Sequence, residues 1–198
     1  IQLSEWNCDS DLLDPMCGSG TFLIEAAMIA KNYPPNYSRN NFLFQNWKDF
    51  DVELFDSIKK SVTGKIKKIN FKIYGYDRSH STVKKAVLNI KEAGFENYIS
   101  VKKEDFFNTK KDFDKKLYLI FNPPYGERLT VNIESFYKNI GDTLKKNYSN
   151  STASFITSNL KSLKFIGLKH KRKIKLYNGK LESRLATYEL YEGSKKKN

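Results

Sequence analysis

Leu12-Leu13-Asp14, an apolar run ending in an acid, leads into Pro15-Met16-Cys17-Gly18-Ser19-Gly20-Thr21, and Phe22 to Lys31 then reads as a strong helix former with no Gly or Pro inside. That is strand, glycine turn, helix. The pattern returns downstream. Asn70 to Tyr76 alternates, ends at Asp77 and precedes a helix from Ser79 to about Ala93 that stops at Gly94. A short strand over Tyr98 to Lys102 leads to Glu104-Asp105-Phe106-Phe107, and Leu117 to Phe121 is a continuous apolar run of the kind buried on both faces. A helix around Ile133 to Lys146, a buried strand over Ala153 to Thr157 and a short basic helix over Asn159 to Phe165 follow. Lys171 to Tyr177 and Leu181 to Tyr191 flank Asn178-Gly179, the strongest short hairpin signal.

Alternating strands and helices imply an α/β fold whose mostly parallel, seven-stranded sheet ends in a C-terminal antiparallel hairpin. Length favours one domain over residues 1–198, with an insertion at about 32–66 where Pro34-Pro35, an Asn-rich loop and the aromatics Phe42, Phe44, Trp47, Phe50 and Phe55 break the pattern. A helix near Val52 to Val62 is expected inside it. Ligands of such sheets bind beyond the carboxyl ends of the strands. Asp14, Asp77, Asp105 and Asn122 all stand at those ends, so four polar side chains should converge there.

Composition narrows the partners. Nothing approaches 18 uninterrupted apolar residues and Ile1 to Ser10 carries no secretory pattern, so no membrane is expected and the cytoplasm is the expected compartment. Two cysteines, Cys8 and Cys17, make no disulfide framework. The net charge is +13, and Lys161 to Asn198 holds 12 Lys plus Arg against 3 Asp plus Glu. Such an excess fits an anionic polymer, although a Lys-rich genome would produce it too.

Gly18-Ser19-Gly20 opens a helix, where glycine lets a ligand reach the backbone and helix N–H groups face an anion. No Walker lysine follows, since Thr21 and Phe22 stand there, and the dinucleotide fingerprint also fails. The loop is then either a plain tight turn or a seat for a small anionic group such as a carboxylate, with Asp14 nearby to meet a cationic one. Asp77 could accept from both ribose hydroxyls or serve as a helix N-cap. Asp105 has the same ambiguity: it could accept from an adenine amine with Phe106 or Phe107 on the ring, or both aromatics could be core. In Asn122-Pro123-Pro124-Tyr125 two prolines stiffen the chain and remove two donors, leaving either a turn that merely ends the strand or an acceptor-rich pocket. The Asn122 side-chain oxygen and the Pro123 carbonyl could each accept one hydrogen of a nucleobase amine, aiming its lone pair at an activated methyl, with Tyr125 stacked on the base.

Asp14-Pro-Met-Cys-Gly-Ser-Gly-Thr21 with Ile24-Glu25-Ala26-Ala27, and Asn122-Pro-Pro-Tyr-Gly-Glu-Arg-Leu129, closely resemble the S-adenosylmethionine-dependent RNA methyltransferases that carry an upstream THUMP domain. The bacterial enzymes that methylate guanine N2 in 23S rRNA are the nearest look-alikes. Arg39, Phe42, Phe44 and Trp47, and Lys175 to Gly179 through Tyr188-Glu189-Leu190, also follow the family's order. The resemblance implies a Rossmann-like class I methyltransferase in which Asp14 and the loop Cys17, Gly18, Ser19, Gly20 and Thr21 hold the methionine part of the cofactor. Asp77 would bind its ribose and Asp105 its adenine amine, with Phe106 alongside. Asn122, Pro123 and Tyr125 would hold a flipped base. It implies an RNA partner, foremost 23S rRNA with tRNA second, and no metal. Lys169, Lys171, Arg172 and Lys173 would contact phosphates. The 198 residues leave no room for a THUMP domain, so the chain reads as the catalytic part alone.

Two rivals stand beside this reading. An adenine-N6 or cytosine-N4 methyltransferase acting on DNA or RNA could use the same acceptor pair, and a non-catalytic RNA-binding module would need only the charge and the glycine loop. A nicotinamide-dependent oxidoreductase lacks its fingerprint.

Overall fold

A computed structural model describes residues 1–37, 39–111, 115–124 and 132–193. Seven strands form one sheet: β1 (Asp11–Asp14), β2 (Ile73–Asp77), β3 (Ile99–Lys103), β4 (Leu117–Phe121), β5 (Ser151–Thr157), β6 (Arg172–Asn178) and β7 (Leu181–Leu190). Their order is β3-β2-β1-β4-β5-β7-β6, parallel from β3 through β5 and antiparallel for β7 and β6. The order reverses between β1 and β4. A crevice opens at such a switch point because the two flanking crossovers leave for opposite faces.

Helices α1 (Thr21–Ala30) and α3 (His80–Glu92) cover one face, with Leu23, Ala26 and Ile90 packed on Leu12, Ile73 and Ile120. The other face takes α4 (Ile133–Asn147) and the 3₁₀ segment Leu160–Ile166, where Tyr137, Ile140 and Leu144 meet Phe121, Phe155 and Tyr188. Every residue of β4 is buried, as its unbroken apolar run requires. Buried hydroxyls pair across this core: Tyr137 with Thr157 at 2.7 Å and Ser154 with Thr187 at 2.8 Å. At Gly141 of α4 a Cβ would run into the Ile166 carbonyl, so only glycine lets α4 and the 3₁₀ segment lie this close.

The insertion holds the 3₁₀ segment Leu43–Asn46 and α2 (Val52–Thr63), neither of which buries a residue. Its Phe42, Phe44, Phe50 and Phe55 rings instead pack on one another. Among the described residues no helix is long and apolar enough to cross a membrane.

One local expectation is corrected and another refined. The hairpin turns on Gly179-Lys180 rather than Asn178-Gly179, because Asn178 pairs with Leu181 and Gly179, at φ 59°, takes the first central position. A loop with glycine there needs no second left-handed residue. The expected helix over Asn159 to Phe165 is 3₁₀, capped where the Asn159 side chain accepts from the Ser162 N–H at 3.2 Å and ended by Gly167 at φ 66°.

Candidate active site

The carboxyl ends of β1, β2, β3 and β4 border one cleft of about 800 Å³. Asp14, Cys17, Gly18, Ser19, Thr21, Asp77, Asp105, Phe106, Asn122 and Pro123 all line it. Gly20 does not. It is buried at the N-cap of α1 with φ 85°, a left-handed conformation that glycine adopts without strain, so it shapes the turn that opens α1. Tyr125 lies outside the described residues.

Neighbouring elements hold the glycine loop from both sides. The Cys17 N–H donates to the Tyr76 carbonyl at 2.8 Å, and the Asn89 amide of α3 donates to the Ser19 carbonyl at 2.9 Å. Gly18 has φ 55°, and a Cβ on it would meet nothing within 4 Å. A ligand can therefore come up against the loop backbone.

Asp77 is not the cap of α3. Ser79 is, accepting from the Thr82 N–H at 3.4 Å. Asp77 instead accepts from the Gly18 N–H at 3.2 Å and the Ser79 N–H at 2.8 Å, one on each carboxylate oxygen. Each oxygen keeps a further lone-pair direction for a ligand hydroxyl. The acid thus ties the β2 end to the loop and still faces the cleft. Asp105 does act as a cap, accepting from the Phe107 N–H at 3.1 Å at the head of the 3₁₀ turn Phe106–Asn108. It is exposed and borders the cleft beside Glu104. Phe106 is mostly core, 2% exposed and packed on Phe121 and Tyr148, so little of it is open to the cleft. Phe107 is half-buried against Phe136.

Asp14 is 3% exposed, and one of its oxygens accepts from the Met16 N–H at 3.0 Å. Burial pushes its carboxyl up to about 7, the Met16 hydrogen bond opposes this, and Asp77 adds to it. A buried acid bordering an open cleft suits a cationic ligand group, which would stabilise its ionised form. Burial first, then Asp14 and Asp77, push the Cys17 thiol up to about 12, so it is no nucleophile at neutral pH.

Asn122 leaves β4 exposed and borders the cleft, and Pro123, although buried, borders it too. An acceptor-bearing side chain on a stiffened turn therefore looks onto the hollow lined by the glycine loop. Pocket residues that the sequence did not single out are Arg78, Glu104, Phe136 and Leu181. Arg78 and Glu104 adjoin recognised strand-end acids, a proximity that could have found them. Leu181 reaches the cleft only because the antiparallel β7 begins beside the carboxyl end of β5, which no local pattern announces.

The basic residues divide differently. Lys171 pairs with Glu189 at 2.8 Å and Glu5 at 3.9 Å, and Arg172 with Glu5 at 2.6 Å. Lys169 is exposed, and Lys173 borders a second, smaller pocket.

An open sheet of this order, with a glycine loop after β1 and acids ending β2 and following β3, is built as the class I methyltransferases are. Comparison with known proteins agrees. The chain belongs to the UPF0020 family (RMKL-like, methyltransferase domain), whose profile matches residues 1–187, a family of S-adenosylmethionine-dependent methyltransferases. It is 34% identical over 205 residues to Ribosomal RNA large subunit methyltransferase K/L of Aliivibrio fischeri (strain MJ11), covering 100% of this chain and 29% of that protein. Among solved structures, a possible methylase from Clostridium difficile 630 superposes with a TM-score of 0.87 at 35% identity, covering 99% of this chain and 52% of the other. SMU.472, a methyltransferase by name crystallised with SAH, superposes at 0.88 with 31% identity, covering 98% and 52%.

Proposed function

We propose that this chain transfers the methyl group of S-adenosylmethionine to the exocyclic N2 amine of a guanine in RNA, foremost 23S rRNA. The observation that carries the proposal is the shared cleft, with Asn122 and Pro123 on one wall and Asp14, Gly18 and Asp77 on another. Likeness to a large-subunit rRNA methyltransferase supports the RNA assignment. Because the chain spans only 29% of that relative, we assign part of RNA capture to an upstream THUMP domain of the longer protein.

Asp14 and the loop from Cys17 to Thr21 hold the amino-acid end of the cofactor, Asp77 its ribose and Asp105 its adenine amine. When bound, the cofactor supplies an electrophilic methyl on a positively charged sulfur. A guanine amine is a poor nucleophile because its lone pair is delocalised into the ring. The Asn122 side-chain oxygen and the Pro123 carbonyl each accept one amine hydrogen, drawing the nitrogen towards tetrahedral geometry and aiming its lone pair. Tyr125, which lies outside the described residues, is assigned the base face. Nitrogen–carbon bond formation accompanies loss of the sulfur–carbon bond, and the surplus amine proton leaves to water. Positioning and oriented dipoles carry the rate, so no strong base is required.

The direct test is mass spectrometry of ribosomal and transfer RNA nucleosides from a strain lacking the gene. Loss of N2-methylguanosine is expected. Loss of N6-methyladenine alone would overturn the base assignment.

A further inference from the structure

Beside the hairpin lies a second pocket of about 460 Å³ whose wall carries Lys164, His170, Lys173 and Arg184, with Leu163 and Leu168 on its apolar side. The register explains the charge. Lys175 stands directly opposite Arg184 across the β6–β7 pair, and Lys173, two residues from Lys175, shares that face. Like charges set opposite one another destabilise a sheet. Among the described residues one carboxylate answers them: Glu182 meets Arg184 at 2.7 Å and Lys175 at 3.1 Å. Lys164 rests over the Phe165 ring at 4.7 Å, and Lys164, His170 and Lys173 are all exposed. The face thus keeps more cations than Glu182 can neutralise, around a concavity with an apolar wall.

The pocket is also close to the cleft. Arg184 lies three residues along β7 from Leu181, which lines the cleft; three residues of strand span roughly 10 Å, and the odd spacing sets the two side chains on opposite faces of the sheet. An RNA strand leaving the cleft would reach this pocket by passing over the end of the sheet where β7 begins. We infer that this pocket binds a phosphodiester of the RNA strand flanking the target nucleotide, through Lys164, His170, Lys173 and Arg184, with Leu163 and Leu168 against the sugar. The inference rests on the proposed RNA substrate. It replaces part of the sequence-based assignment: Lys173 stays in the RNA contact, whereas Lys171 and Arg172 hold Glu5 and Glu189 and fasten β6 to the N-terminal segment and β7.

The test uses the purified protein, S-adenosylmethionine and an unmodified 23S rRNA transcript, with Lys164→Gln/Lys173→Gln as the variant and Lys84→Gln/Lys85→Gln, two exposed lysines on α3, as the charge-matched control. The pocket variant should raise the KM for RNA about tenfold and make the log–log salt dependence of RNA binding shallower by about 1, since each lost phosphate contact removes part of that slope. Its affinity for S-adenosylmethionine and its kcat should stay within twofold of wild type, and the control should match wild type throughout. If wild type methylates the transcript and the pocket variant keeps both wild-type KM and wild-type slope, the phosphate site is wrong and the proposed function stands. If wild type methylates DNA and no RNA, the proposed function fails and the pocket's ligand with it.

Discussion

Replacing Asn122 with alanine is expected to leave the dissociation constant for S-adenosylmethionine within a few-fold of wild type while lowering kcat about 10³-fold. Asn122 is exposed on the cleft wall formed by the β4 end, whereas the proposed cofactor contacts come from β1, β2 and β3. Its removal therefore takes nothing from the cofactor's own contacts. What it removes is one of two acceptors for the amine, and the loss of a single oriented dipole at a reacting group costs about 10² to 10³ in rate. Asn122→Asp keeps an acceptor oxygen in place and should recover part of the turnover. Calorimetry and single-turnover transfer read the two effects separately. Equal loss of binding and turnover would mean that Asn122 holds the fold of the turn rather than the base.

Asp14→Asn should weaken S-adenosylmethionine binding about 100-fold and yet stabilise the free protein at pH 8. The carboxyl holds its proton up to about 7 in the folded chain because it is buried, whereas in the unfolded chain it ionises near 4. Its contribution to stability is therefore fully present below about 4 and is lost as pH rises through about 7, where ionisation must occur inside the protein. Asparagine has no such loss, so the Tm of Asp14→Asn should exceed that of wild type by roughly 5 °C at pH 8 and match it at pH 4. In wild type, cofactor affinity should rise from pH 5.5 to about 7 and then level off, since the bound cationic group selects the ionised acid. Binding at pH 6 should release a proton, read by calorimetry in buffers of different ionisation enthalpy. An affinity that does not change with pH would remove Asp14 from the cofactor site.

Much of the sheet is visible in the chain because each strand carries its own signal. Leu117 to Phe121 is apolar throughout, as a strand covered on both faces must be, and Gly94 at φ 74° ends α3 where a helix stop was expected. Asp14, Asp77, Asp105 and Asn122 meet in one cleft because parallel strands place all their carboxyl ends on the same edge. What is hidden depends on partners distant in sequence. Gly179 follows Asn178 in any reading, but only the pairing of Asn178 with Leu181 decides which two residues turn. Phe106 has the composition of a base-stacking residue, yet its backbone enters a 3₁₀ turn that sends the ring towards Phe121 and Tyr148. The basic tail shows its charge in the count but not its faces. Alternation along β6 turns Lys173 towards Arg184, while Glu5, more than 160 residues earlier, draws Arg172 to the other side.

Incubating the purified protein with methyl-labelled S-adenosylmethionine and an unmodified 23S rRNA transcript, then digesting the RNA to nucleosides, measures the proposed chemistry directly. Label that co-elutes with N2-methylguanosine and disappears with Asn122→Ala is the predicted result. Label in N6-methyladenosine, or label in N2-methylguanosine that Asn122→Ala leaves undiminished, would contradict the proposal that this turn grips a guanine amine.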